Sequence, residues 1–117
     1  MPEPFDPSGF LMVATKIATG GTEAQLRSAV GRYYYGMMLV ARGKLRVASD
    51  DASVHTEVEL ALDRLYQRHI SQLFKEAKRL RNIADYTLAP KDKDCDWEKN
   101  FSNVKMSADK VLNALNS

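Results

Sequence analysis

Residues 54–88, VHTEVELALDRLYQRHISQLFKEAKRLRNIADYTL, contain neither glycine nor proline, and apolar residues recur through them at helical spacing. Val54, Val58, Ala61, Leu62 and Leu65 form an early stripe. Tyr66, Ile70, Leu73, Ala77, Leu80, Ala84 and Leu88 form a later one. At about 100° per residue the two stripes are offset by roughly a quarter turn. The segment therefore kinks or breaks within residues 67–71, with Ser71 as the cap of the second piece, and Pro90 stops it.

The flanking sequence carries the same period. Thr22 and Gln25 have the spacing of a capping box and open a helix expected to run to about Ala41. Its buried stripe is Leu26, Val30, Tyr33, Met37, Val40 and Ala41, with Gly43 as its stop. Gly31 and Gly36 each cost about 1 kcal/mol relative to alanine in a helix, which predicts close approach of a neighbouring helix or subunit. Upstream, Pro2, Pro4 and Pro7 predict an extended leader over residues 1–9. Ser8 is the expected cap of a first helix carrying Phe10, Val13, Ala14 and Ile17, which Gly20-Gly21 ends. Residues 47–53 read as a connector, with Asp50, Asp51 or Ser53 as cap of the next helix. Residues 91–96 read as a polar loop, after which Asp96 caps a last helix with Trp97, Phe101, Val104, Ala108, Val111, Leu112 and Leu115 on one face. Nothing alternates with period two. The expectation is an all-α, up-and-down bundle of four to five helices, forming a single domain over residues 10–117.

A chain of 117 residues with 44% hydrophobic and 27% charged residues has ordinary globular values and room for one core. The formal net charge of +2 permits RNA contact without arguing for it. One cysteine, Cys95, excludes an internal disulfide framework and suits a reducing cytoplasm, where it is expected to be a passive thiol. No apolar run approaches the roughly 20 residues of a membrane span. Glu3 and Asp6, in place of a basic segment before residues 9–18, argue against a signal peptide. The expected location is cytoplasmic. Two histidines and one cysteine make no metal constellation. Asp92-Lys93-Asp94-Cys95-Asp96 mimics the start of a calcium loop, but Trp97 and Asn103 stand where glycine and glutamate are needed. No metal or cofactor is predicted.

The chemistry concentrates in Arg81-Asn82-Ile83-Ala84-Asp85-Tyr86. Arg81 can reach Asp85, and Asn82 can reach Tyr86, across one turn. Taken alone this is a surface ion pair worth about 0.3–0.5 kcal/mol. A second segment, residues 27–42, carries Arg32-Tyr33-Tyr34-Tyr35, and His55 and Val58 open a later helix. Together these elements resemble the HEPN superfamily of small all-α proteins of prokaryotic toxin–antitoxin and defence systems, in the branch reading roughly Arg-x-Tyr-Tyr-Ala, then His, then Arg-x-x-Ala-Asp-Tyr. The resemblance covers residues 22–115. In ribonuclease members an arginine and a polar residue precede a histidine by four to six positions, and two such motifs meet at a dimer cleft to cut RNA without a metal. Arginine holds a phosphate bidentately, and histidine moves protons near neutral pH. Here Arg81 and Asn82 match the front of the motif, while Tyr86 stands in place of histidine. A phenol with an ordinary pKa near 10 is a poor base at pH 7.

The resemblance thus implies an RNA- or nucleotide-binding module using Arg81, Asn82, Asp85 and Tyr86. One alternative is a divergent metal-independent ribonuclease with Arg81 and Tyr86 as catalytic residues and a base still to be found. Another is a non-catalytic interaction or scaffolding subunit. The resemblance also implies pairing with a minimal nucleotidyltransferase, with Tyr86 as the modified residue. Lys75, Arg79, Asn82 and Tyr86 share one polar helix face that can grip RNA backbone, although such a face is usually only solvated. Arg81 falls at the edge of the apolar stripe. His55, at a helix start, reads as a cap or surface residue. His69 lies about 18 Å along the helix from Arg81, too far to share its site. Tyr33, Tyr34 and Tyr35 cannot all face one core, so at least one meets another helix or subunit, and a homodimer is expected.

Overall fold

The computed structural model describes residues 6–49 and 51–116. It contains helices α1 (Gly9–Ala18), α2 (Glu23–Leu45), α3 (Val54–Leu65), α4 (Arg68–Tyr86) and α5 (Trp97–Leu115), with a short 3-10 turn at Asp92–Asp94. No strand occurs among the described residues, so the chain is an all-α bundle. The radius of gyration of 14.0 Å is close to the roughly 13 Å expected of one compact domain of this length. No described helix is long and apolar enough to cross a membrane.

α2 is the central element, packed against α1, α3, α4 and α5, while α4 also lies against α3 and α5. That placement explains why α2 buries more than the expected stripe. Ala29, Tyr34, Gly36 and Met38 are buried alongside Leu26, Val30, Tyr33, Met37 and Ala41, whereas Val40 is only half-buried. The expected capping box forms, with the Gln25 N–H donating to Thr22 Oγ1 at 3.2 Å and the Thr22 N–H to Gln25 Oε1 at 3.1 Å. Gly43 does not end α2. The helix continues to Leu45, and Arg46 turns the chain with φ 56°. The packing of Leu45 and Val47 against the core draws the helix past the glycine.

The break in residues 54–88 falls at Tyr66 and Gln67, and it is not capped by Ser71. Ser71 is buried within α4, where its hydroxyl donates to the Arg68 carbonyl at 2.9 Å. Gln67, in extended conformation, occupies the cap position without a side-chain bond. Phe74, absent from the expected stripe, is fully buried, while Leu65 and Leu88, both assigned to stripes, are 65% and 95% exposed.

α1 begins at Gly9, inside the expected leader, and Ser8 makes no side-chain cap. Instead the Ser8 N–H donates to Asp6 Oδ1 at 3.0 Å. The rest of the leader lies outside the described residues, as does Asp50. Before α3 the organising group is Asp51, which accepts from the Ser53 N–H at 2.9 Å and from the Ser49 hydroxyl at 2.9 Å. Asp96 caps α5 as expected, accepting from the Lys99 N–H at 3.0 Å. Arg27 then ties α2 to the end of α4. Its guanidinium donates to the Thr87 carbonyl at 2.7 Å and the Leu88 carbonyl at 3.2 Å, and lies 4.6 Å from the centre of the buried Trp97 ring. This contact sets where the last turn of α4, with Arg81 and Tyr86, sits against α2.

Candidate functional site

Arg81 lies seven positions after the fully buried Phe74, close to two full turns, so it projects from the same face of α4. At the edge of the stripe it is partly buried, as its position on the helix implies, with its side chain 23% exposed. Four residues hold it. Nε is 3.1 Å from Asp85 Oδ2, Nη1 donates to Asn82 Oδ1 at 3.0 Å, and the guanidinium carbon lies 5.7 Å from the centres of the Tyr34 and Tyr86 rings. Arg81, Asn82, Asp85 and Tyr86 are thus gathered around one guanidinium. Asn82 serves Arg81, while Tyr86 projects outward, 74% exposed.

Beneath this cluster lies a polar layer joining α2, α3 and α4. The Tyr34 hydroxyl is 2.7 Å from His55 Nδ1, and the two rings stack nearly parallel with centroids 5.7 Å apart. His55 is therefore not a cap but a half-buried partner of Tyr34. Position at a helix start says nothing about a partner twenty-one residues earlier in the chain. Beside it Lys78 donates to Glu59 Oε1 at 2.9 Å. Burial, reinforced by the Arg81 and Lys78 cations and opposed by Glu59, holds the His55 imidazole below its ordinary pKa. Burial pushes the Tyr34 phenol up. Both rings are neutral at pH 7, which suits a hydrogen-bonded pair next to a cation.

Arg81 and Asp85 also form one wall of a cleft of about 480 Å³ between α1, α2 and α4, completed by Phe10, Ser28, Gly31, Arg32 and Tyr35. Phe10 meets Tyr35 edge-on, with centroids 5.3 Å apart at 81°. Arg32 has no ion pair among the described residues. Sequence reasoning did not place Ser28, Arg32, Tyr35 or Phe10 at the site. A signal for the α2 members existed, since Ser28, Gly31 or Arg32, and Tyr35 recur at helical spacing on one face. The three consecutive tyrosines are satisfied within one chain. Tyr33 donates to Asp109 and packs on Phe101, Tyr34 pairs with His55, and Tyr35 meets Phe10.

Lys75 and Arg79 are not brought to this site. Lys75 Nζ lies 3.6 Å from Asp63, and Arg79 pairs with Glu76 at 2.8 Å and Asp94 at 3.2 Å. Six and two residues before Arg81, they fall about 240° and 200° around α4 respectively, and Arg79 borders a different groove with Ile83 and Pro90. His69 lines yet another groove, beside Tyr66 and Ala114. No group of three or more metal-ligating side chains occurs among the described residues. Comparison with protein-family models, with curated proteins and with solved structures finds no match to this chain.

Proposed function

We propose that the chain is a HEPN-like helical module of a prokaryotic toxin–antitoxin or defence system, binding RNA or a nucleotide through Arg81, Asn82, Asp85 and Tyr86. The observation that carries this reading is the state of Arg81. Its side chain is about three-quarters buried, with the guanidinium oriented by Asp85 and Asn82 and set beside the exposed ring of Tyr86 at the edge of a cleft. An oriented guanidinium next to an open aromatic supplies the two contacts that single-stranded nucleic acid uses, one to phosphate and one to a base face. The module is proposed to work as a homodimer. A small nucleotidyltransferase is a proposed partner, one that would reach the exposed Tyr86 hydroxyl.

A labelled mixed-sequence single-stranded RNA, followed by fluorescence anisotropy, tests the reading. Binding by the wild type, weakened about tenfold or more in Arg81→Ala and less in Asn82→Ala, supports it. Equal binding by all three proteins removes it. The ribonuclease reading gains one specific observation, an imidazole at His55 close enough to feel the Arg81 charge. Cleavage of the same RNA in a chelator, lost in both Arg81→Ala and His55→Ala, would establish that reading. Intact RNA would leave a binding module.

A further inference from the structure

We infer that the cleft between α1, α2 and α4 is a pocket for one 5′-phosphorylated nucleotide unit, with the phosphate held between Arg32 and Arg81 and the base against Tyr35. The inference rests on the proposed nucleotide-binding role of Arg81 and extends it to residues on a second and a third helix. Ser28, Arg32 and Tyr35 line the α2 wall, Arg81 and Asp85 face them from α4, and Phe10 closes the α1 end. Asp85 is already paired with Arg81 at 3.1 Å, so the lining of two arginines and one aspartate keeps one net positive charge. Guanidinium forks match the oxygens of a phosphate. Tyr35 is fixed edge-on by Phe10 yet remains 42% exposed, leaving ring surface on which a base can stack. The Ser28 hydroxyl offers both a donor and an acceptor to a sugar hydroxyl.

Gly31 keeps the floor open. A Cβ there would stand 3.1 Å from Asp85 Oδ1, so a side chain would fill the gap between α2 and α4. At about 480 Å³ the cleft falls within the roughly 300–1,000 Å³ of small-molecule pockets, enough for one nucleotide.

The test is titration of the full chain with the fluorescent nucleotide mant-ADP, competed by ADP and by ribose 5-phosphate. Saturable binding is expected, with ADP competing at least about tenfold better than ribose 5-phosphate, which lacks the base and the second phosphate, and with the Tyr35 variants isolating the part owed to the base. Arg32→Ala and Arg32→Lys should each weaken binding about tenfold or more, since lysine keeps the charge and loses the fork. Tyr35→Ala should weaken it about 5- to 100-fold, while Tyr35→Phe, which retains the ring face, stays near wild type. Circular dichroism checks that each variant is folded, and the lysine and phenylalanine variants carry the test if an alanine variant is not. Competition by a short 5′-phosphorylated RNA assigns the unit to an RNA end, and competition by ADP alone assigns it to a free nucleotide. No saturable binding, or binding unaltered in Arg32→Lys and Tyr35→Ala, overturns the pocket. RNA retained through Arg81 with full affinity in those two variants overturns the pocket alone and leaves the proposed function standing. Nucleotide bound without RNA leaves the pocket standing and narrows the proposed function to nucleotide binding, whereas nucleotide binding unaltered in Arg81→Ala overturns the role of Arg81 and the pocket with it.

Discussion

His55 shows how a half-buried polar pair ties the site to the stability of the fold. Tyr34, Arg81, Lys78 and Glu59 are the titratable or charged groups acting on it, and their balance with burial lowers its pKa. The unfolded chain therefore binds a proton at His55 more readily than the folded one. The stability this group contributes is complete above its unfolded pKa of about 6.5. It is lost as pH falls through the lower folded value. Urea unfolding midpoints should accordingly hold steady from pH 8 to 7 and decline toward pH 5. His55→Gln, which can still bond the Tyr34 hydroxyl, should flatten that decline; a decline of unchanged slope would place the titrating group elsewhere. Arg81→Ala removes the Asp85 ion pair, the Asn82 bond and two ring contacts. A cost of about 1–3 kcal/mol in the same unfolding measurement is expected, above that of a surface pair because the side chain is mostly buried. The Arg81–Asp85 pairing was legible in the sequence because it lies within one helical turn. The Tyr34–His55 bond was not, since only the packing of α3 on α2 brings those rings together.

Helix starts and helix contacts divide along the same line between local and long-range causes. Thr22 with Gln25, and Asp96, act as caps within three residues of themselves, so spacing alone disclosed them. Ser71 and Gly43 satisfied local rules for a cap and a stop, yet burial of Ser71 in α4 and packing of Leu45 beyond Gly43 overrode both. Two glycines of α2 turn this into an experiment. A Cβ at Gly43 meets nothing within 4 Å, so Gly43→Ala should gain up to about 1 kcal/mol from helix propensity and a stiffer unfolded chain. A Cβ at Gly36 would lie 3.0 Å from the Leu11 side chain and 3.1 Å from Phe10 Cβ, so these α1 side chains must give by a few tenths of an ångström. Gly36→Ala should therefore lower stability by about 1–3 kcal/mol despite the same gain in propensity. Thermal melts of the two variants should shift in opposite directions, and matching upward shifts would show that α1 does not press on α2.

Charge across the molecule separates two ways in which the chain could hold RNA. The all-α bundle was legible from the 3.6-residue period of each segment, but the cleft was not, because only the packing of the distant α4 on α1 and α2 closes it. The polar face of Lys75 and Arg79 was the visible candidate, and the fold answers it with acids: Asp63 beside Lys75, Glu76 and Asp94 beside Arg79, Glu59 beside Lys78. A surface neutralised in this way releases few counterions. Two phosphate-binding guanidiniums, Arg32 and Arg81, give an expected slope of log affinity against log salt of roughly −1.4 for single-stranded RNA, from about −0.7 per phosphate neutralised. Affinity should then fall only about sevenfold between about 50 and 200 mM salt. If Lys75 and Arg79 also reached phosphate, the slope would be roughly −2.8 and the loss about fiftyfold. Anisotropy titrations of the same labelled RNA across that range distinguish the two cases. Arg32→Ala should make the slope shallower by about 0.7, whereas Lys75→Ala should leave it unchanged. A steep slope that depends on Lys75 would move RNA recognition from the cleft to the outer face of α4, because cations already paired with their own acids would then have exchanged those partners for phosphate.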